Sequence, residues 1–86
     1  MKTFRDLKIG DYIYWYDSKQ IFKLKITEIN RSEYGTSFFG TFNPENWETS
    51  VYIDSAFENY SLYPSVFSHV TTNLNHLLTF LCNENI

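Results

Sequence analysis

Several residue types are scarce in this 86-residue chain, and each scarcity excludes a class of protein. A single cysteine, Cys82, cannot form an internal disulfide and is typical of a reducing compartment. Three scattered glycines cannot build a phosphate-binding loop. The N-terminus lacks the apolar segment of a secretory signal, and no apolar run reaches membrane-spanning length. We therefore expect a cytoplasmic protein that does not bind membranes.

Basic residues are missing from the second half of the chain. All seven lysines and arginines lie between Lys2 and Arg31, and every charged residue after Arg31 is acidic. One interpretation is charge complementarity between neighbouring strands of one barrel. The other is an electropositive face for an acidic partner, or head-to-tail self-association. The first is favoured, because exposed ion pairs usually specify little.

Signatures of catalysis and of metal binding are also missing. The chain has no Cys-x-x-Cys or His-Glu-x-x-His motif, and no serine lies in a nucleophile elbow. His69, His76 and Cys82 are the residues that could converge on a metal. The six-residue separation of His76 and Cys82 places them on different faces of a helix. The sequence therefore predicts no enzyme activity, no cofactor and no metal site.

Aromatic residues, in contrast, make up 20% of the chain. They are densest in the run Tyr12–Tyr16, which contains residues that favour a pleated strand and follows a turn at Gly10 and Asp11. Strict alternation divides this strand into a tyrosine face and an apolar face. The tyrosine face carries Tyr12, Tyr14 and Tyr16, and the apolar face carries Ile13 and Trp15.

The residues that lead into this strand follow a Leu-x-x-Gly-Asp-x-Ile pattern, from Leu7 to Ile13. The pattern resembles the opening of small uncharacterised SH3-like β-barrel proteins of phages and gut bacteria. This resemblance implies a barrel fold and carries over no functional residues. The Ala-Leu-Tyr-Asp-Tyr signature of signalling SH3 domains is absent, so binding of proline-rich peptides is not implied.

Periodicity along the rest of the chain predicts a mainly β fold in a single domain, residues 1–86. Strands are expected at about 11–17, 20–30, 37–42, 49–55 and 66–70, with a loop over the core at 56–64. Phe4, Leu7 and Ile9 are expected to close one end. The prediction is a small SH3-like barrel of about five antiparallel strands, about residues 3–70, followed by one C-terminal helix.

The C-terminal helix is predicted at about residues 72–83, with Thr71 or Thr72 as its N-cap. Its leucines recur at the spacing of one helix face, which predicts that this face packs against the barrel. These residues are Leu74, Leu77, Leu78 and Leu81.

The register of the first hairpin determines which side chains face outward. If Tyr16 opposes Ile21 across the turn 17–20, Trp15 pairs with Phe22 and Ile13 with Leu24, and these four residues point into the core. Tyr14 then faces Lys23 outside, and Tyr12 faces Lys25. A loop of odd length would bury the tyrosines, but a three-residue loop usually needs glycine at its end. Burying an unpaired lysine is also costly.

This register predicts a partner-binding stripe on the outer face, unless the C-terminal helix or the 56–64 loop covers it. The stripe consists of Tyr12, Tyr14, Tyr16, Lys23 and Lys25.

Together these features predict a non-catalytic protein-binding module, an accessory protein of a phage or mobile element that acts on a host protein. Aromatic content and uneven charge also favour a homodimer. The alternative is binding of single-stranded nucleic acid, with tyrosines stacking on bases and lysines along the backbone. A sequence pI near 5.2 disfavours nucleic acid. A small ligand-binding barrel ranks third, because one small core leaves little room for a pocket.

Overall fold

The computed structural model describes residues 2–17, 19–43, 47–63 and 70–84. Antiparallel strands form most of it, with a short 3₁₀ turn at Phe4–Asp6 before them and another at Ser55–Phe57 among them. The strands are β1 (Tyr12–Asp17), β2 (Gln20–Arg31), β3 (Gly35–Asn43), β4 (Trp47–Asp54), β5 (Leu62–Tyr63) and β6 (Val70–Thr71). Helix α1 (Leu74–Glu84) follows.

The six strands form one sheet in the order β4-β3-β2-β1-β6-β5, which curls into a half-barrel. Strands β1 to β4 are a meander, and the chain then crosses to the other side of β1, where β6 and β5 complete the sheet. β1 therefore lies inside the sheet with a neighbour on each side. The predicted fold class, mainly β with one C-terminal helix, is confirmed.

The predicted register of the first hairpin is confirmed. Tyr16 opposes Ile21, and Asp17 pairs with Gln20, which leaves a two-residue loop. Lys19 in this loop has a φ of 64°, the left-handed conformation that such loops require. The chain therefore makes a tight hairpin without a glycine.

The core lies on one face of the sheet. Each strand of the meander contributes at least one fully buried side chain, and the N-terminal segment covers them with Phe4 and Leu7. The residues from the strands are Ile13, Leu24, Ile26, Phe38 and Ile53. The prediction that Ile9 helps to close this end is wrong: its side chain is 68% exposed, because the turn before β1 holds it at the surface.

A β-bulge interrupts β2. Ile26 pairs with Gly40 and Glu28 with Phe39, so Thr27 is an extra residue without a partner in β3. The two backbones approach so closely that a Cβ on Gly40 would lie 1.9 Å from the Lys25 carbonyl oxygen. The extra residue also inverts the alternation that follows it, so that Ile29 packs against the core.

A polar network with two buried members, Thr36 and Glu58, holds the N-terminal segment to the sheet. The Arg31 guanidinium donates to the carbonyl oxygens of Arg5 at 3.0 Å and Leu7 at 3.2 Å, and to the Thr36 hydroxyl. The hydroxyl in turn donates to the buried Glu58 carboxylate, which also accepts from Arg5 at 3.4 Å. Every polar side chain in this network has a partner, which is the condition for burying it at low cost.

The predicted loop over residues 56–64 contains two short elements, the 3₁₀ turn and β5. Leu62 and Tyr63 pair with Thr71 and Val70 of β6. The strand predicted at 66–70 falls mostly on residues 64–69, which lie outside the described residues, and β6 begins at its last position. Alternation could not find β5, because two residues are too few to show a period.

Helix α1 begins at Leu74, and the Asn73 side chain accepts from the Asn75 backbone N–H at 2.9 Å. Asn73 is therefore the N-cap, and the prediction of Thr71 or Thr72 is wrong, since Thr71 belongs to β6.

The prediction that Leu78 is buried is also wrong. Leu77 is 1% exposed and Leu78 is 44% exposed, while Leu74 is half-buried and the Leu81 side chain lies outside the described residues. Leu77 is buried, but it does not belong to the core cluster formed by the described residues of the sheet and the N-terminal segment. The short helix lies beside β1 and β6, and its contact face is narrower than its leucine stripe.

The two neighbouring leucines give a matched pair of variants. Leu77→Ala is expected to lower the free energy of unfolding by about 2–5 kcal/mol, the range for a fully buried leucine. Leu78→Ala is expected to change it by less than about 1 kcal/mol, because that side chain already contacts water. Urea unfolding followed by tryptophan fluorescence measures both, and equal effects would contradict this placement of the helix.

Gly40→Ala is expected to be among the most destabilising single changes in the chain. The new methyl group would overlap the Lys25 carbonyl, and both atoms belong to paired backbone that can move only by opening the bulge. We expect a loss of about 3 kcal/mol or more. Ser50→Ala, an exposed change on the adjacent strand, serves as the control and should alter stability by about 0.5 kcal/mol or less. A stable, well-folded Gly40→Ala protein would show that the bulge is not needed.

Candidate functional site

The structure brings the five predicted stripe residues together on one face of β1 and β2. Tyr14 is paired with Lys23, and Tyr12 with Lys25, so the tyrosines and lysines are cross-strand neighbours. The Lys23 ammonium lies 4.6 Å from the centroid of the Tyr12 ring, a cation–π contact, and the Tyr12 and Tyr14 rings are 6.3 Å apart. Tyr16 continues the row toward the hairpin loop.

The stripe is half-buried. All three tyrosines and Lys23 have intermediate exposure, whereas Lys25 is exposed. Tyr14 is also paired with Thr71 of β6, and α1 lies beside both strands. Burial raises the pKa of the Tyr14 hydroxyl above its ordinary value of 10.0, and Tyr12 adds a smaller effect in the same direction.

A groove of about 550 Å³ adjoins the stripe on the outer face of β2, β3 and β4. The bulge lies at its edge, and its lining combines hydroxyl groups, two carboxylates and one aromatic ring. The lining residues include Thr27, Glu28, Phe39, Thr41, Glu48 and Ser50. Lys25 is paired with Thr41, and Thr41 with Glu48, so these three residues form one row across three strands.

The exposed charges of this outer face are not neutralised within the described chain. Lys25, Glu28 and Glu48 make no ion pair with any described residue, although the Asn30 amide donates to Glu28 at 3.2 Å. The two ion pairs of the described residues lie elsewhere, between Lys2 and Asp11 and between Arg5 and Glu58. The face therefore carries the positive charges of Lys23 and Lys25 on β2 beside an acidic groove.

A second cleft, of about 510 Å³, lies at the end of the sheet beneath the N-terminal segment. Its lining includes four of the basic residues, Lys2, Arg5, Lys8 and Arg31. Three of them have structural partners: Lys2 bonds Asp11 at 2.9 Å, Arg5 bonds Glu58, and Arg31 bonds backbone carbonyls. We assign this cleft a role in holding the segment in place.

Four aromatic side chains of the predicted loop regions are on the surface. Tyr34, Trp47, Tyr52 and Tyr60, which lie in or beside the predicted loops, are 52–72% exposed. Tyr63 does pack inward, with its ring 4.9 Å from that of Phe57. On the core face, Trp15, Phe22, Phe42 and Trp47 form a row of ring contacts across four strands.

The residues that could have formed a metal site do not converge in the described part of the chain. No group of three or more His, Cys, Asp or Glu side chains there is arranged to hold an ion. Cys82 is exposed and His76 is half-buried, while His69 lies outside the described residues. No described helix is both long enough and apolar enough to cross a membrane.

Comparisons with known proteins give no relative. No protein-family model matches the chain, and no curated protein or solved structure is significantly similar to it.

Alternation in β1 and β2 was enough to place the stripe, but it did not reveal the groove beside it. Phe39 and Glu48 face outward because Thr41, which shares their face, is paired with Lys25 on one side and Glu48 on the other, and the bulge at Thr27 brings Glu28 to the same face. The available signal was the three-residue spacing of Ile26 and Ile29, which breaks a strict period of two.

Titration of Tyr14 tests its burial. Because the folded state holds this proton more tightly than the unfolded chain, Tyr14 stabilises the protein below pH 10, and this contribution is lost as the pH rises through the folded-state pKa. Tyr14→Phe should therefore lose less stability than the wild type between about pH 9 and about pH 11. Urea unfolding at several pH values measures this, and identical alkaline slopes would show that Tyr14 is as solvated as in the unfolded chain.

Proposed function

We propose that this chain is a non-catalytic protein-binding module whose contact surface is the stripe of Tyr12, Tyr14, Tyr16, Lys23 and Lys25. One observation carries the proposal: aromatic rings and ammonium groups form a contiguous row on the face opposite the core. Tyrosine offers a large apolar body with a polar tip, a combination that is enriched where proteins meet.

The electrostatics of the face favour a protein over a nucleic acid. A phosphate backbone needs a continuous basic path, whereas here Glu28 lies on the same strand as Lys25 and Glu48 lies two strands away, both on the same face. A protein partner can present charges of both signs and an apolar anchor for the tyrosines. The proposal includes a homodimer among the partners.

The resemblance of the opening pattern, Leu7 to Ile13, to small barrel proteins of phages and gut bacteria suggests the setting. In that setting the chain acts as an accessory protein of a phage or mobile element, in the cytoplasm, on a host protein. Small size and the aromatic surface suit such a role, because a compact module can act by occupying a surface of its target.

A capture experiment with matched variants tests the proposal. Tyr16→Ala removes a stripe side chain at the end near the hairpin loop, Lys23→Ala removes one at its middle, and Lys8→Ala removes a lysine on another surface. Immobilised wild-type protein should retain a stoichiometric partner from bacterial lysate, and the two stripe variants should bind the purified partner at least about tenfold more weakly. Lys8→Ala should bind as the wild type does.

Thermal unfolding of each variant separates lost contact from lost structure. A Tyr16→Ala protein that melts as the wild type does and still binds the partner fully would overturn the assignment of the stripe. Absence of any stoichiometric partner, together with a monomeric wild type, would overturn the protein-binding function itself.

A further inference from the structure

We propose that the outer face of β2, β3 and β4 binds a second copy of this chain, through a two-fold axis that runs along β3. The occupant is inferred from charge: the row Lys25–Thr41–Glu48 is positive at one end and negative at the other. A second copy rotated by 180° about β3 places its negative end over the positive end of the first, so the two rows are complementary.

The pairing of the strands determines what such an axis brings together. Lys25 and Glu48 lie on either side of Thr41, each one strand away, at about 5 Å spacing. When two outer faces meet with their β3 strands aligned, Lys25 of each copy lies over Glu48 of the other. Two identical ion pairs form, as an isologous interface requires.

The same axis places Phe39 of one copy against Phe39 of the other. This side chain is half-buried in the groove of an otherwise polar face, where it has hydroxyl-bearing neighbours. Contact with a second ring would remove its exposed surface from water, and packed sheets about 10 Å apart leave room for both rings. The absence of ion pairs to Lys25 and Glu48 within the described chain leaves both groups available.

This contact shares Lys25 with the stripe and leaves the tyrosines of β1 outside it. Tyr14 and Tyr16 lie on the far side of β2 from the axis, so a dimer would still present two rows of tyrosines to other partners. The interface is small and polar, and we expect weak association that weakens further with salt.

Paired charge reversals test the interface. Lys25→Glu leaves two carboxylates in the row, and Glu48→Lys leaves two ammonium groups, so each variant repels its own copies. Sedimentation equilibrium at protein concentrations up to about 1 mM should show a wild-type dimer and, for each variant alone, association weakened by about tenfold or more. An equimolar mixture of the two variants should regain dimers, because the heterodimer restores both ion pairs.

The mixture also shows that both variants are folded. Lys8→Glu and Glu33→Lys make the same charge changes at exposed positions off this face and should dimerise as the wild type does. A wild type that is monomeric at about 1 mM would overturn the proposal. A dimer that persists in both charge-reversal variants would also overturn the proposal. Such a dimer would form through another surface, for example the free edge of β4. A monomer that still captures another protein through Tyr16 and Lys23 would overturn the dimer and leave the proposed function standing.

Discussion

The close approach of β2 and β3 at Gly40 is the constraint on which the rest of this structure depends. Because Gly40 has no side chain, β2 can carry the extra residue Thr27, and the alternation after it inverts. Ile29 then joins the core, and Arg31 comes to lie beneath the N-terminal segment. A bulge also increases local twist, which suits a six-stranded sheet that curls into a half-barrel.

The position of Arg31 explains how so short a chain closes one end of its core. Phe4 and Leu7 are the covering residues, and their segment has no strand partner along most of its length. The Arg31 guanidinium supplies donors to two of its carbonyl oxygens, while Arg5 reaches the buried Glu58. Burying Glu58 would be expensive alone, but Thr36 and Arg5 satisfy it. Two of the seven basic residues, Arg5 and Arg31, thus serve this closure.

Local pattern was sufficient for the first hairpin and insufficient for the C-terminal region. In the paired segments Tyr12–Asp17 and Gln20–Lys25 the side chains alternate between the two faces, so register and facing followed from the cost of burying lysine. The bulge breaks that period, and β5 is too short to have one. In α1, spacing alone could not distinguish Leu77 from Leu78, because the burial of each depends on how the helix lies against β1 and β6. The groove could not be predicted for the same reason, because it depends on how β2, β3 and β4 pair in the folded protein.

In this topology the uneven distribution of charge along the sequence becomes a separation of charge across the sheet. In a meander the order of strands in space is their order in the chain, so the lysines of β2 and the acids of β4 are separated across the sheet. β3, which lies between them, has no charged residue at all. This part of the sheet therefore has a neutral strand with Lys25 on one flank and Glu48 on the other, and a two-fold axis along that strand exchanges the flanks. An asymmetry that looks like an imbalance in the linear sequence is, on the folded surface, the condition for self-complementarity.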